Sequence, residues 1–110
     1  MECDGFLGRP QQHLRSIKLV SWNVNGVKSK LENNRVQDFL LQYDIICLNE
    51  VKTPLRVCLP GYVSYLSISK VSPHRGGTVV MIKNYLVQFV TSVDSGVEDQ
   101  VWFQLRCVPE

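Results

Sequence analysis

Two short apolar runs, Leu19-Val20 into Trp22 and Ile45-Ile46-Cys47-Leu48, each stop at a cluster of amides and charges, with 22 residues between Trp22 and Ile45. No other feature constrains the fold as much. Ile17, Leu19 and Val20 begin a strand that runs into Trp22. Ile45 to Leu48 shows no alternation, the pattern of a strand covered on both faces. Asn23 to Lys30 is polar, contains Gly26 and reads as a loop. Asn33 and Asn34 are N-cap candidates. Val36, Phe39, Leu40 and Tyr43 recur at i, i+3, i+4 and i+7, an apolar helical stripe. Strand, helix and strand at this length make a parallel crossover. The expected class is α/β, a mixed sheet with one crossover helix.

The second part has a different texture. Tyr62 to Ile68 reads as a strand, residues 72–77 as a loop and Thr78 to Lys83 as a β-branched strand. Asn84-Tyr85 reads as a short turn, after which Val87, Phe89, Thr91 and Val93 would share one strand face. Val101, Phe103, Leu105 and Cys107 alternate with Trp102, Gln104 and Arg106, period two. The expectation is an antiparallel meander of three or four strands.

At 110 residues, 45% apolar and 20% charged, the chain has room for one ordinary globular domain and is neither disordered nor collagen-like. Residues 1–15 read as a loose leader and 16–110 as the domain. The longest apolar runs are four residues, so no span of a bilayer and no membrane partner is expected. The start, Met1-Glu2-Cys3-Asp4-Gly5, lacks the basic and apolar regions of a signal peptide. Cys3, Cys47, Cys58 and Cys107 are too far apart for a zinc site or a disulfide framework, so reduced thiols in an intracellular setting are expected.

The net charge of +2 hides an uneven layout. From Val51 to Val93 there are five bases, Lys52, Arg56, Lys70, Arg75 and Lys83, and no acid. Such a stretch can face a phosphate backbone or be a set of solvated lysines.

If the two apolar strands are parallel neighbours, Trp22-Asn23-Val24-Asn25-Gly26 and Asn49-Glu50-Val51-Lys52 emerge at the same carboxyl edge, where open α/β sheets hold ligands. Glu50 is the only acid there. It needs a partner, either a hard cation taking oxygen ligands or a neighbouring base such as Lys52. Trp22 and Trp102 are expected in core or inter-sheet packing, with base stacking as the alternative. His74 reads as a surface histidine.

These residues resemble the endonuclease/exonuclease/phosphatase superfamily. Leu19 to Gly26, then Asp44 to Glu50, then Gly76 to Ile82 are similar to its first three signature blocks, in order and at its spacing. Asn25 and the Arg75-Gly76-Gly77 approach look most like the endonuclease domain of non-LTR, LINE-type retrotransposons; cellular apurinic endonucleases usually have Asp at the position of Asn25. The resemblance implies half of a four-layered, DNase I-like α/β sandwich, truncated, whose remainder lies in a longer chain or a partner. It implies DNA as substrate, a compatible nuclear setting and Mg2+, with Mn2+ as an alternative. Asn23 would orient the network and the scissile phosphate, and Glu50 would be the metal ligand. Asn25 would stand in the outer metal shell or touch phosphate, while Lys52 and Arg75 would face the nucleic-acid backbone.

The sequence also departs from the family. Asn49 stands where Gln is common, and Val51 where Thr is common. The later Asp-x-Asn and Ser-Asp-His blocks do not occur in these residues. Losing the general base alone removes about 10²–10⁴-fold in rate. Little cleavage by the chain on its own is therefore expected, and a non-catalytic binding module or a truncated remnant are the alternatives. A remnant would leave an apolar sheet face in water.

Overall fold

The computed structural model describes residues 16–53, 57–68, 75–94 and 100–106. Strand β1 (Leu19–Asn23) leads through α1 (Lys28–Leu31) and α2 (Asn34–Leu40) to β2 (Ile45–Asn49). Then come β3 (Tyr62–Ser67), β4 (Thr78–Lys83), α3 (Asn84–Val87), β5 (Val90–Asp94) and β6 (Trp102–Leu105). β1 and β2 are parallel, with Leu19 opposite Ile45 and Asn23 opposite Asn49.

The crossover contains two helices rather than one. Asn33 caps α2, its side chain accepting from the N–H groups of Arg35 at 2.9 Å and Val36 at 3.3 Å. That cap breaks the polar segment into a single-turn α1 and a seven-residue α2. The helix stops at Leu40, so Tyr43 lies beyond it. Phe39, expected on the buried stripe, is 46% exposed while Leu40 is fully buried.

The meander expected after Pro60 is not one sheet. β4 inserts between β2 and β3, antiparallel to both, to give the order β1-β2-β4-β3. Val79 to Ile82 are all buried, which explains why this strand does not alternate. β5 and β6 form a separate antiparallel pair. The expected Asn84-Tyr85 turn is a helical turn that carries Val87 with it. An irregularity between Val90 and Ser92 then changes which β5 residues face inward, so Val90 and Val93 do, and Thr91 is exposed.

The two sheet faces have separate cores. Ile46, Leu48, Val79 and Met81 meet Leu40 and the loop valines Val24, Val27 and Val51 on the helical side. Ile45, Val80 and Ile82 meet Leu86, Phe89, Phe103 and Leu105 on the other. The β5–β6 pair thus covers part of the second sheet face. A groove of about 450 Å³ between β1 and α2 is lined by half-buried Val20, Trp22 and Val36 and exposed Phe39. Leu19 beside it is 54% exposed. Among the described residues no helix is long and apolar enough to cross a membrane.

Tyr62 ties β3 to the end of α2. Its hydroxyl donates to the carbonyls of Tyr43 at 2.5 Å and Leu40 at 3.3 Å. Burial first, then the charge of Asp44 and the neighbouring Tyr85, push this phenol above its ordinary pKa. The folded state therefore holds the proton more tightly than the unfolded chain, so this contribution is complete below the unfolded value and is lost as pH rises through the folded one. Stability should stay level to about pH 10 and then fall. Tyr62→Phe should flatten that alkaline fall while costing about 1–2 kcal/mol at neutral pH. Urea midpoints across the alkaline range measure both effects, and an unchanged alkaline limb would count against this assignment.

Candidate functional site

Beyond the last paired residues of β1 and β2 the backbone pairing continues. Val24 N–H donates to Asn49 O at 3.0 Å, Gly26 N–H to Glu50 O at 2.8 Å and Val27 N–H to Val51 O at 3.0 Å. On the opposite side Val51 N–H donates to Gly77 O at 3.2 Å and Lys52 N–H to Gly76 O at 2.8 Å. The segment carrying Glu50 is held between two glycine-bearing turns. Val24 and Val51 point into the core, each 1% exposed, and their neighbours point out.

Asn25, Glu50 and Lys52 adopt φ values of 47°, 55° and 58°, and among the described residues no other non-glycine residue has positive φ. A left-handed backbone costs an ordinary residue roughly 1–2 kcal/mol. Such strain persists only where the surroundings dictate it, and it gathers at functional sites. Here the flanking backbone bonds and buried valines dictate it, and three polar side chains are turned onto one rim.

Those side chains form a chain of contacts. Asn23 Nδ2 donates to Glu50 Oε2 at 2.8 Å, and Asn23 Oδ1 accepts from Asn25 N–H at 3.2 Å. Lys52 Nζ donates to Asn25 Oδ1 in a short hydrogen bond. Glu50 is thus partnered by an amide rather than by Lys52, and its Oε1 has no partner among the described residues. Lys30 donates to Val24 O at 2.7 Å, bracing the first turn. Asn49 Nδ2 donates to Thr78 Oγ1 at 3.3 Å across to β4.

The structure therefore brings Asn23, Asn25, Glu50 and Lys52 together. Arg75 is exposed, one residue from Gly76 and so close to the rim in the chain, but no hydrogen bond joins its guanidinium to the cluster among the described residues. Sequence reasoning missed the Lys30 brace and the Asn49–Thr78 contact; pairing across strands distant in sequence carries no local signal. His13, His74, Cys3 and Cys107 lie outside the described residues. Cys47 and Cys58 are free thiols, and burial pushes the Cys47 thiol up. Trp22 is half-buried against the helical-side core, but Trp102 is 65% exposed, contrary to the core packing expected of it. Its position on β6 directs it away from the face that carries Phe103 and Leu105.

Among the described residues no three His, Cys, Asp or Glu side chains converge as a metal cage. What is present is one exposed carboxylate with a free oxygen beside two amides. That fits a hard divalent cation that keeps most of its water and takes one carboxylate from the protein. Asn25 Oδ1 is already engaged by Lys52, so Glu50 is the direct ligand this geometry offers.

Residues 20–106 match the model of the Endonuclease/Exonuclease/phosphatase family. The chain belongs to this family. Its curated relatives include the DNA-(apurinic or apyrimidinic site) endonuclease 2 of Bos taurus, 31% identical over 62% of this chain and 17% of that protein. The Xenopus laevis protein of the same name is 32% identical, over 62% of this chain and 14% of its own length. The chain thus spans less than a fifth of these relatives. Among solved structures, the APE2 catalytic domain of Xenopus laevis aligns at TM-score 0.55 and 30% identity, covering 71% of this chain and 26% of that one. An AP endonuclease from Archaeoglobus fulgidus aligns at TM-score 0.51 and 23% identity, over 72% and 30%, a likeness of fold. The DNase I-like mixed α/β architecture of the family is the one found here. The relatives named are apurinic endonucleases rather than the retrotransposon endonucleases that Asn25 suggested.

Proposed function

We propose that this chain is the opening part of a divalent-metal-dependent phosphodiesterase domain that engages DNA and that does not cleave efficiently by itself. The observation that carries the reading is the Asn23–Glu50 contact at 2.8 Å, on a strained rim at the carboxyl edge of two parallel strands. Asn23 fixes the glutamate so that Oε1 projects outward. Glu50 would hold Mg2+, or Mn2+ in its place; a bound cation of that kind polarises a phosphoryl oxygen and offsets charge developing on it. Lys52 and Arg75 would neutralise backbone phosphates, and Asn25 keeps the Lys52 ammonium at the rim. DNA as the substrate is supported by the names of the relatives, and an intracellular, nuclear setting goes with it. The retrotransposon subtype is supported by Asn25 and Arg75-Gly76-Gly77.

Slow cleavage follows from chemistry: the residues here include no Asp-x-Asn and no Ser-Asp-His, so nothing supplies the general base. A DNA-binding module without turnover is the second reading, favoured by that same lack. The purified chain with Mg2+ should nick supercoiled plasmid no faster than Glu50→Ala does. It should bind DNA with an affinity that falls as salt rises, and Lys52→Ala should reduce the log–log salt slope by roughly one contact, about 0.7–0.9. Efficient Glu50-dependent nicking would overturn the claim of inactivity. Binding indifferent to salt, or none, would overturn the nucleic-acid reading.

A further inference from the structure

The loop that follows β1 has two sides. Its N–H groups face the Glu50 segment, Val24 donating to Asn49 O and Gly26 to Glu50 O. The carbonyls of Val24 and Gly26 face Lys30 instead, whose Nζ donates to Val24 O at 2.7 Å and lies 3.5 Å from Gly26 O. Helical side chains lean toward the N-terminal end of their helix, so a lysine on the single turn Lys28–Leu31 reaches back over the loop that enters it. One half-buried lysine thus spans the two carbonyls on either side of Asn25. Lys28, on the same turn, is exposed, and its side chain makes no hydrogen bond to the loop among the described residues.

Asn25 is the residue that needs holding. Its φ of 47° persists only where the surroundings impose it. In that conformation its N–H donates to Asn23 Oδ1 at 3.2 Å. An amide whose oxygen is so engaged turns its nitrogen the other way, and Asn23 Nδ2 donates to Glu50 Oε2 at 2.8 Å. Reversed, the same amide would set an oxygen against the carboxylate and lose the contact. The connection therefore runs from Lys30 to the loop carbonyls, from Asn25 N–H to Asn23, and from Asn23 to Glu50.

We propose that Lys30 is a positioning residue for the rim: acting through Asn25 and Asn23, it fixes the Glu50 carboxylate for a divalent cation. This role rests on the metal reading above, and its effect is opposite in sign to that of charge. By Coulomb repulsion alone, removing an ammonium near the rim strengthens cation binding. Loss of positioning weakens it.

Mg2+ alone is titrated into the full chain, without DNA, and followed by NMR at the Asn23 and Glu50 signals. Lys30→Met keeps the aliphatic stem and should weaken Mg2+ binding roughly 10-fold, the low end of the loss of about 10–100-fold seen when groups that orient metal ligands are removed. Lys30→Arg restores a cationic donor and should recover most of that loss. Lys28→Met, which removes a charge from the same turn, should bind Mg2+ at least as tightly as the original chain. Without metal, Lys30→Met should speed hydrogen exchange at the Gly26 and Val27 amides severalfold and leave the buried Val80 and Met81 amides unchanged. If Lys30→Met leaves Mg2+ affinity equal or stronger, or leaves exchange in the loop unchanged, the positioning role is overturned and the proposed function stands. If the original chain binds no Mg2+ at these residues, the metal reading and the role of Lys30 fall together.

Discussion

Asp44→Ala is expected to cost about 3–5 kcal/mol, the usual loss when one member of a buried polar cluster is removed. Asp44 is 5% exposed and immediately precedes β2. Its carboxylate accepts from Lys18 N–H at 2.9 Å and from the Tyr85 hydroxyl at 2.7 Å, with Lys83 Nζ at 3.9 Å. Its backbone carbonyl also accepts from Lys83 N–H at 3.0 Å. One side chain therefore joins the entry to β1, the entry to β2 and the end of β4. Removing it takes one acceptor from the part-buried Lys18 N–H and from the Tyr85 hydroxyl together. At about 4–8 °C per kcal/mol for a domain near this size, Tm should fall by about 12 °C or more. Asp44→Asn keeps one acceptor oxygen and should lose distinctly less. A loss under about 1 kcal/mol by urea denaturation, the size of a single ordinary hydrogen bond, would remove this cluster from the account of stability.

Gly77→Ala is expected to cost about 2–4 kcal/mol, from backbone strain and overpacking together. Gly77 has φ +90°, and a Cβ there would lie 2.9 Å from Val51 Cγ2. Val51 is 1% exposed and has no room to retreat. It stands between Glu50 and Lys52, so a shift of Val51 disturbs both rim residues. Trimming the obstacle tests the steric part directly: Gly77→Ala with Val51→Ala should cost less than the sum of the two single changes, because the clash is removed. Simple additivity in urea denaturation would show that backbone strain alone is responsible. The DNA affinity of Gly77→Ala, measured where both proteins are fully folded, should also fall more than that of Tyr62→Phe, whose site is remote from the rim.

Much of the architecture was legible because it is written in short-range patterns. Unalternating runs at Ile45–Leu48 and Val79–Ile82 are buried on both faces, and polar residues mark the strand ends. Asn33 announced the cap of α2. The rim was legible for the same reason: two strands that run in parallel must release Asn23 and Glu50 at one edge. What could not be read is what depends on partners distant in sequence. The slot of β4 between β2 and β3 is chosen by which faces it can bury, and the Asn84-Tyr85 segment becomes helical because Leu86 has a core to enter. Trp102 looked like a core residue by type, yet its parity on β6 turns it outward.

By itself, then, the order of residues determined the strand–helix–strand unit, the meeting of the amide-rich and acidic clusters, and the family kinship of the opening blocks. Local periodicity and chain direction suffice for these. Only the tertiary structure decided that Asn23 rather than Lys52 partners Glu50, that Asp44 ties three strands, and that the Trp102 indole stands in solvent on the outer face of β6. Each of those depends on distances between residues far apart in the chain, and such distances exist only once the sheet has assembled and the cores have closed.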